Sequence, residues 1–194
     1  HLCELLIDNG HEVTVIDSLS SGYLSNLWRI FQKVKLIEQK IESLNFLSLG
    51  TIDVVVHLAA QTSVPRSIAN FCDSSASNML GTINVIEYCR LSNIPMIYAS
   101  SSAVYGNLHL GDDEVDRVDL LSPYATDKYA MELYTRTAHK LYELSSIGLR
   151  FFNVYGPRQD PTSPYSGVIS VFADRLLRAQ DARHMPVAHS LPRP

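Results

Sequence analysis

Tyr124 and Lys128 stand four residues apart in the stretch SPYATDKYAMELY, which begins at Ser122. Residues at that spacing share one face of a helix. An ammonium beside a phenol favours the phenolate and draws the tyrosine pKa down from its usual ~10. Such a pair moves protons. The same spacing also arises in an ordinary packed helix, so the reading needs a third group. Upstream, Ser100, Ser101 and Ser102 follow the apolar run PMIYA. A serine hydroxyl there can share a proton with the tyrosine oxygen.

The elements that must position these groups can be read from the pattern. EVTVID, VKLIE (34–38), DVVVHLAA (53–60), PMIYAS (95–100) and IGLRFFNVYG read as short strands. Helical stretches alternate with them, at 74–91, from Ser122 through the following 22 residues, and at 167–178. Ser122 is the expected N-cap of the long helix, and Pro123 its first residue. The Leu2, Leu5 and Leu6 spacing predicts a further helix at the start, closed by Gly10. Strands alternating with helices imply a doubly wound α/β fold, a Rossmann-like parallel sheet with crossover helices on its faces. Ligands of such sheets collect beyond the carboxyl ends of the strands. Polar and small residues fall at those ends: Asp17; Ala59, Ala60, Gln61 and Thr62; the three serines; Phe152 and Asn153.

Composition excludes several classes. The 194 residues are 46% hydrophobic and 19% charged, with a net charge of −4 and no like-charge block. This speaks against a nucleic-acid surface or a polybasic membrane patch. No apolar run approaches the ~20 residues of a membrane span, and no signal-peptide pattern opens the chain. The three cysteines, Cys3, Cys72 and Cys89, form no C-x-x-C pair. Neither a disulfide framework nor a metal site is expected, and a cytoplasmic protein is.

Asp17, at the end of a strand, has two readings: an acceptor for adenosine ribose hydroxyls in a dinucleotide fold, or an Asp opening a turn before Ser18. The glycine-rich phosphate loop that belongs ~20 residues upstream of the first reading would precede His1. The chain is therefore expected to be a fragment, lacking the first strand, the glycine loop and most of a C-terminal substrate lobe.

Six motifs in order, VIDSLSSG, DVVVHLAAQTSVPRSI, NMLGTINVIEYCR, IYASSSAVYG, SPYATDKYAMELY and LRFFNVYGPRQDP, resemble an extended short-chain dehydrogenase/reductase, and within it the nucleotide-sugar epimerases. The resemblance runs to about Ala179. It implies NAD as cofactor, a UDP-sugar as substrate and a homodimer packed on helices 74–91 and 122–144. It makes Tyr124 the catalytic base, Lys128 its activator and holder of the nicotinamide ribose, and Ser101 the third catalytic group. It also implies cofactor contacts at Asp17, Ser18, Leu19, Ser20, Ser21, Gly22, Ile41, Leu58, Ala59, Ala60, Gln61, Thr62, Asn78 and Phe152. Substrate contacts fall on Ser101, Ser102, Tyr124 and Asn153, and SPYSGVI (163–169) resembles a substrate-loop segment.

The implied reaction is epimerisation at C4 of a UDP-hexose through a 4-keto sugar. Related dehydratases carry Asp-Glu after the catalytic Thr, whereas Ser102 and Ala103 stand here. A decarboxylase, a reductase or an inactive remnant are the other readings. Lys40 stands where the resemblance expects an acidic residue near the adenine. The segment 181–194 is off-pattern and expected to be disordered, following a partial NAD-binding domain over 1–180. Trp28, Phe31, Tyr129, Tyr142 and Cys89 read as packing residues, and His57 as structural.

Overall fold

In a computed structural model, residues 1–108, 117–163 and 166–178 are described. The expectations for 181–194 lie outside them, as does part of the 163–169 loop. The chain divides into two compact units, His1–Phe152 and Asn153–Pro194.

The first unit contains α1 (Leu2–Asp8), β1 (Val13–Asp17), β2 (Val34–Glu38), β3 (Val55–His57), α2 (Val64–Ala69), α3 (Phe71–Ser75), α4 (Gly81–Ser92), β4 (Met96–Ser101), α5 (Pro123–Tyr142) and β5 (Ser146–Phe151). The second contains α6 (Val168–Leu177), with Gly167 at its N-cap. Every strand pairing is parallel: β1 with β2, β3 with β4, and β4 with β5. These form two sheets, β1-β2 and β3-β4-β5. In the doubly wound order 3-2-1-4-5-6, they occupy the positions on either side of the central strand. No described residue fills that central position.

Both sheets nonetheless pack on one core. Ile16 and Ile37 from the first sheet and Val55 from the second lie against Val85, Ile86, Cys89, Met96 and Met131. Cys89 is fully buried, and burial pushes its thiol up to about 12. It is inert packing, as the sequence implied.

Two expectations are corrected. The helix read over 74–91 is broken: α3 ends at Ser75, a π-helical turn spans Ala76–Leu80, and α4 starts at Gly81. The wider turn aims Asn78 at the β3 end, and such turns recur at functional sites. Gly81 follows because a Cβ there would lie 2.6 Å from Ile41 Cδ1. Trp28 and Phe31 are not packing residues; they are 68% and 47% exposed. They belong to short 3₁₀ turns between β1 and β2, too brief to present an apolar face.

Candidate active site

The long helix α5 begins at the carboxyl end of β4, and its start is tied down from two sides. Ser122 is the N-cap, its Oγ accepting from the Ala125 amide at 3.1 Å. The fully buried Ser67 of α2 accepts from the Tyr124 amide at 3.2 Å. These bonds satisfy helix-start amides that have no partner within the helix, and the second ties the first turn to α2.

The structure thereby brings together the three residues expected to react. The Ser101 hydroxyl hydrogen-bonds the Tyr124 phenol, a bond that favours the phenolate. Ser101 Oγ also accepts from the Ala103 amide at 3.1 Å, which holds its rotamer. Lys128 Nζ lies 5.8 Å from the Tyr124 ring centroid and donates to the Ala99 carbonyl at 2.7 Å. Lys128 is 2% exposed, and burial pulls its pKa from 10.5 down to about 8, with Asp127 opposing.

The direction of the tyrosine shift corrects the sequence reading. Burial pushes the Tyr124 phenol above its ordinary 10.0, and the bond to Ser101 only partly offsets this. The Lys128 ammonium is turned to the Ala99 carbonyl, so it does not offset the cost of burying a phenolate. In this chain Tyr124 rests as the neutral phenol, and additional positive charge at the site is needed to ionise it.

The cofactor expectations map onto two places. At the end of β1, Asp17 is exposed and its Oδ1 accepts from the Leu19 amide at 2.7 Å. Leu19 takes a positive φ of 52°, and the turn 18–22 curls back so that Gly22 faces both carboxylate oxygens. The turn reading of Asp17 is therefore met, and the exposed carboxylate at a strand end also suits ribose hydroxyls. Ser18 Oγ donates to Ser20 Oγ at 3.1 Å; Ser21 belongs to the same turn. Ile41 is different, since its side chain is 8% exposed and packs in the core. Only its backbone can face a ligand. Its neighbour Lys40 is exposed and lies 4.0 Å from Glu42.

At the end of β3 the chain leaves the sheet earlier than expected, so Leu58, Ala59, Ala60, Gln61 and Thr62 form a loop. Asn78 clamps it: Oδ1 accepts from the Gln61 amide at 2.8 Å, and Nδ2 donates to the Gln61 carbonyl at 3.1 Å. The Gln61 side chain donates to Ser63 O and Ser74 Oγ, both at 3.0 Å. Small residues on a backbone held this way suit close approach of a large ligand. Ser102 opens a 3₁₀ turn (Ser102–Tyr105) after β4, and Phe152 stacks on the buried Tyr105 at 6.4 Å. Asn153 opens the second unit.

Several residues went unread in the sequence. Asp127 is buried, accepting from Ser75 Oγ at 2.9 Å and from Asn78 Nδ2 at 3.2 Å. Glu132 accepts from Arg150 Nε at 2.9 Å, from Arg150 Nη2 at 2.7 Å, and from Ser100 Oγ. Ser100 is thus engaged away from the reacting oxygen, which leaves Ser101 as the hydroxyl for Tyr124. His57 is structural, as read: Nε2 meets Thr82 Oγ1 at 2.9 Å, and Thr82 donates to Asn78 O at 2.5 Å. Because the Thr82 proton is committed, His57 carries its own proton on Nε2. None of these residues announces itself by spacing.

A phenol, an ammonium and a hydroxyl thus stand together beside the carboxyl end of a parallel strand, as the resemblance to short-chain dehydrogenase/reductases implies. The chain belongs to the NAD dependent epimerase/dehydratase family, whose model matches residues 1–190. It is 38% identical over 189 residues to a putative UDP-glucose 4-epimerase of Methanocaldococcus jannaschii, covering 93% of this chain and 60% of that protein. It superposes on the UDP-glucose 4-epimerase of Thermotoga maritima, solved with UDP-glucose, with a TM-score of 0.86, 34% identity and coverage of 93% and 60%. The Thermus thermophilus UDP-glucose 4-epimerase, solved with NAD, gives 0.81, 32%, 93% and 59%. The chain thus spans about 60% of the length of these relatives. Sugar-nucleotide dehydratases are also among the matching structures. NAD is the cofactor of the family, and the Asp17 turn, the clamped β3 loop and the Tyr124–Lys128 pair fit its adenosine and nicotinamide ends.

Among the described residues, no helix is long and apolar enough to cross a membrane.

Proposed function

We propose that the protein is a nucleotide-sugar 4-epimerase that inverts C4 of a UDP-hexose. The observation that carries this reading is the contact of Ser101 with Tyr124 beside Lys128, with Ala103 where a dehydratase needs an acid. Once ionised to the phenolate, as the positive charge of bound NAD would favour, Tyr124 would accept the proton of the sugar 4-hydroxyl as the C4 hydride departs, leaving a 4-keto sugar. NAD supplies a reversible hydride acceptor for this step and is not consumed over a full turnover. The ketone turns in the site, the hydride returns to its opposite face, and Tyr124 gives the proton back. Ser101 donates to the oxygen whose charge changes, stabilising it in both directions. Lys128, beside the Tyr124 ring, can hold a ribose hydroxyl.

The assigned contacts of NAD are Asp17 and the turn 18–22 on the adenosine side, the backbone of Ile41, Leu58–Thr62 along its length, and Phe152 near the nicotinamide. Ser102 and Asn153 are assigned to the substrate. A homodimer is supported by the apolar residues left exposed on α4 and α5, including Leu91, Leu133 and Leu141. The free cysteines support a cytoplasmic, reducing setting.

The test is interconversion of UDP-glucose and UDP-galactose by the full-length protein without added NAD. Tyr124→Phe should lower turnover by ~10²–10⁴-fold while circular dichroism is unchanged. Turnover only with UDP-N-acetylglucosamine would move the substrate. Formation of a 4-keto-6-deoxy product would replace epimerisation with dehydration.

A further inference from the structure

We propose that Asp127 is a positioning residue of this site. Its carboxylate orients the Asn78 amide that clamps the β3 loop, and it sets a negative charge within reach of Lys128. The inference rests on reading Tyr124 and Lys128 as the reacting pair.

A carboxylate can only accept hydrogen bonds. By taking Asn78 Nδ2 at 3.2 Å, Asp127 fixes which end of that amide faces α5. Asn78 Oδ1 is then turned to the Gln61 amide, and the Gln61 backbone is gripped on both sides by one side chain. Ser75 holds the other carboxylate oxygen at 2.9 Å, so α3, the π-helical turn and α5 meet at Asp127. A neutral amide at position 78 without this partner could flip and lose the Gln61 amide.

The second effect is electrostatic. From α5, Tyr124 lies beside Lys128, and the adjacent Asp127 adds a negative charge that acts on it. Glu132 lies one turn further on and is committed to Arg150 of β5 and Ser100 of β4. From β3 comes His57, which burial and Lys128 hold neutral, with its pKa lowered to about 4. From β4 come the Ala99 carbonyl and the Ser101 hydroxyl. Ser75 and Asn78 are uncharged. Among the described residues, Asp127 is thus the carboxylate whose charge opposes the lowering of the Lys128 pKa by burial.

The experiment compares Asp127→Asn and Asp127→Ala in the full-length holoprotein. It has two readouts that need no sugar turnover: NAD retained through gel filtration, and the Lys128 titration midpoint from the NMR signal of its labelled Cε, assigned with Lys128→Met. Asparagine can still accept from Asn78 and donate to Ser75, but it carries no charge. Asp127→Asn should therefore retain NAD within about twofold of wild type, yet lower the Lys128 midpoint by about one pH unit. Asp127→Ala should lower the midpoint equally and also reduce retained NAD by about tenfold, the weight of one lost buried hydrogen bond. An unmoved Lys128 midpoint in Asp127→Asn overturns the proposal, as does equal NAD retention by the two variants. Failure of the epimerase reading appears separately, as wild-type protein that retains NAD but leaves UDP-sugars unchanged.

Discussion

Two stretches of α5 are buried alike and behave oppositely. Near its start, Lys128 is 2% exposed; one turn later, Glu132 is 8% exposed. Glu132 has a bidentate partner in Arg150 and a further donor in Ser100, and its bonds to Arg150 raise that guanidinium above its ordinary value. Lys128 has an ammonium with three protons and, among the described residues, one hydrogen-bond acceptor, the Ala99 carbonyl. The lysine is held where its charge costs free energy. The glutamate is held where its charge is matched. Burial therefore does not separate a structural charge from a functional one; the completeness of its partners does.

The comparison predicts its largest effect at the satisfied pair. Glu132→Ala leaves a partly buried guanidinium unmatched. Removing one partner of a fully buried pair costs about 3–5 kcal/mol. With Arg150 side-chain exposure at 23%, the lower end is expected, read as a fall in the urea midpoint at constant slope. A loss below about 1 kcal/mol would place this pair with ordinary surface bridges and break the contrast.

His57 sharpens it next. Its pKa is lowered from 6.5 to about 4 by burial and by Lys128. A folded value below the unfolded one means stability that is present above pH 6.5 and lost as pH falls towards 4. The drop should approach about 3 kcal/mol, followed by denaturant melts across that window. In His57→Gln the His57-dependent part of the drop should vanish, whereas an unchanged slope would mean that other groups carry it.

The smallest effect on stability is expected at the strained lysine. Lys128→Met removes a buried ammonium and one hydrogen bond, so melting at pH 7 should be unchanged or higher while turnover falls by ~10²-fold or more. The wild-type protein should gain stability between about pH 8 and 10.5, where folded Lys128 has released its proton and unfolded lysine has not. That gain should be missing in Lys128→Met. Marked destabilisation at pH 7 would make Lys128 a structural residue after all.

Part of this architecture was legible because its signals are local. Ser122 and Pro123 mark the start of α5 within their own turn, and the VKLIE strand falls on the stated residues. The Tyr124–Lys128 spacing and the serines after PMIYA marked groups able to exchange a proton, and the structure brings Ser101, Tyr124 and Lys128 together. The break between α3 and α4 was not legible. It coincides with Asn78, whose partners Gln61 and Asp127 lie 17 and 49 residues away. The direction of the tyrosine shift was missed for a related reason. Helical spacing puts Lys128 on the Tyr124 face, but only the packed sheet shows its ammonium drawn to Ala99 and the phenol buried.

The amino-acid sequence by itself determined the order of strands and helices, the caps, the family and the types of group that can exchange a proton. Each of these is set by neighbours a few residues apart or by motifs that survive as strings. Tertiary structure decided which carboxylate is matched by an arginine, which orients the amide over the β3 loop, and what burial does to each proton. Those outcomes depend on desolvation and on partners brought from distant strands, and neither quantity is written in the spacing of residues along the chain.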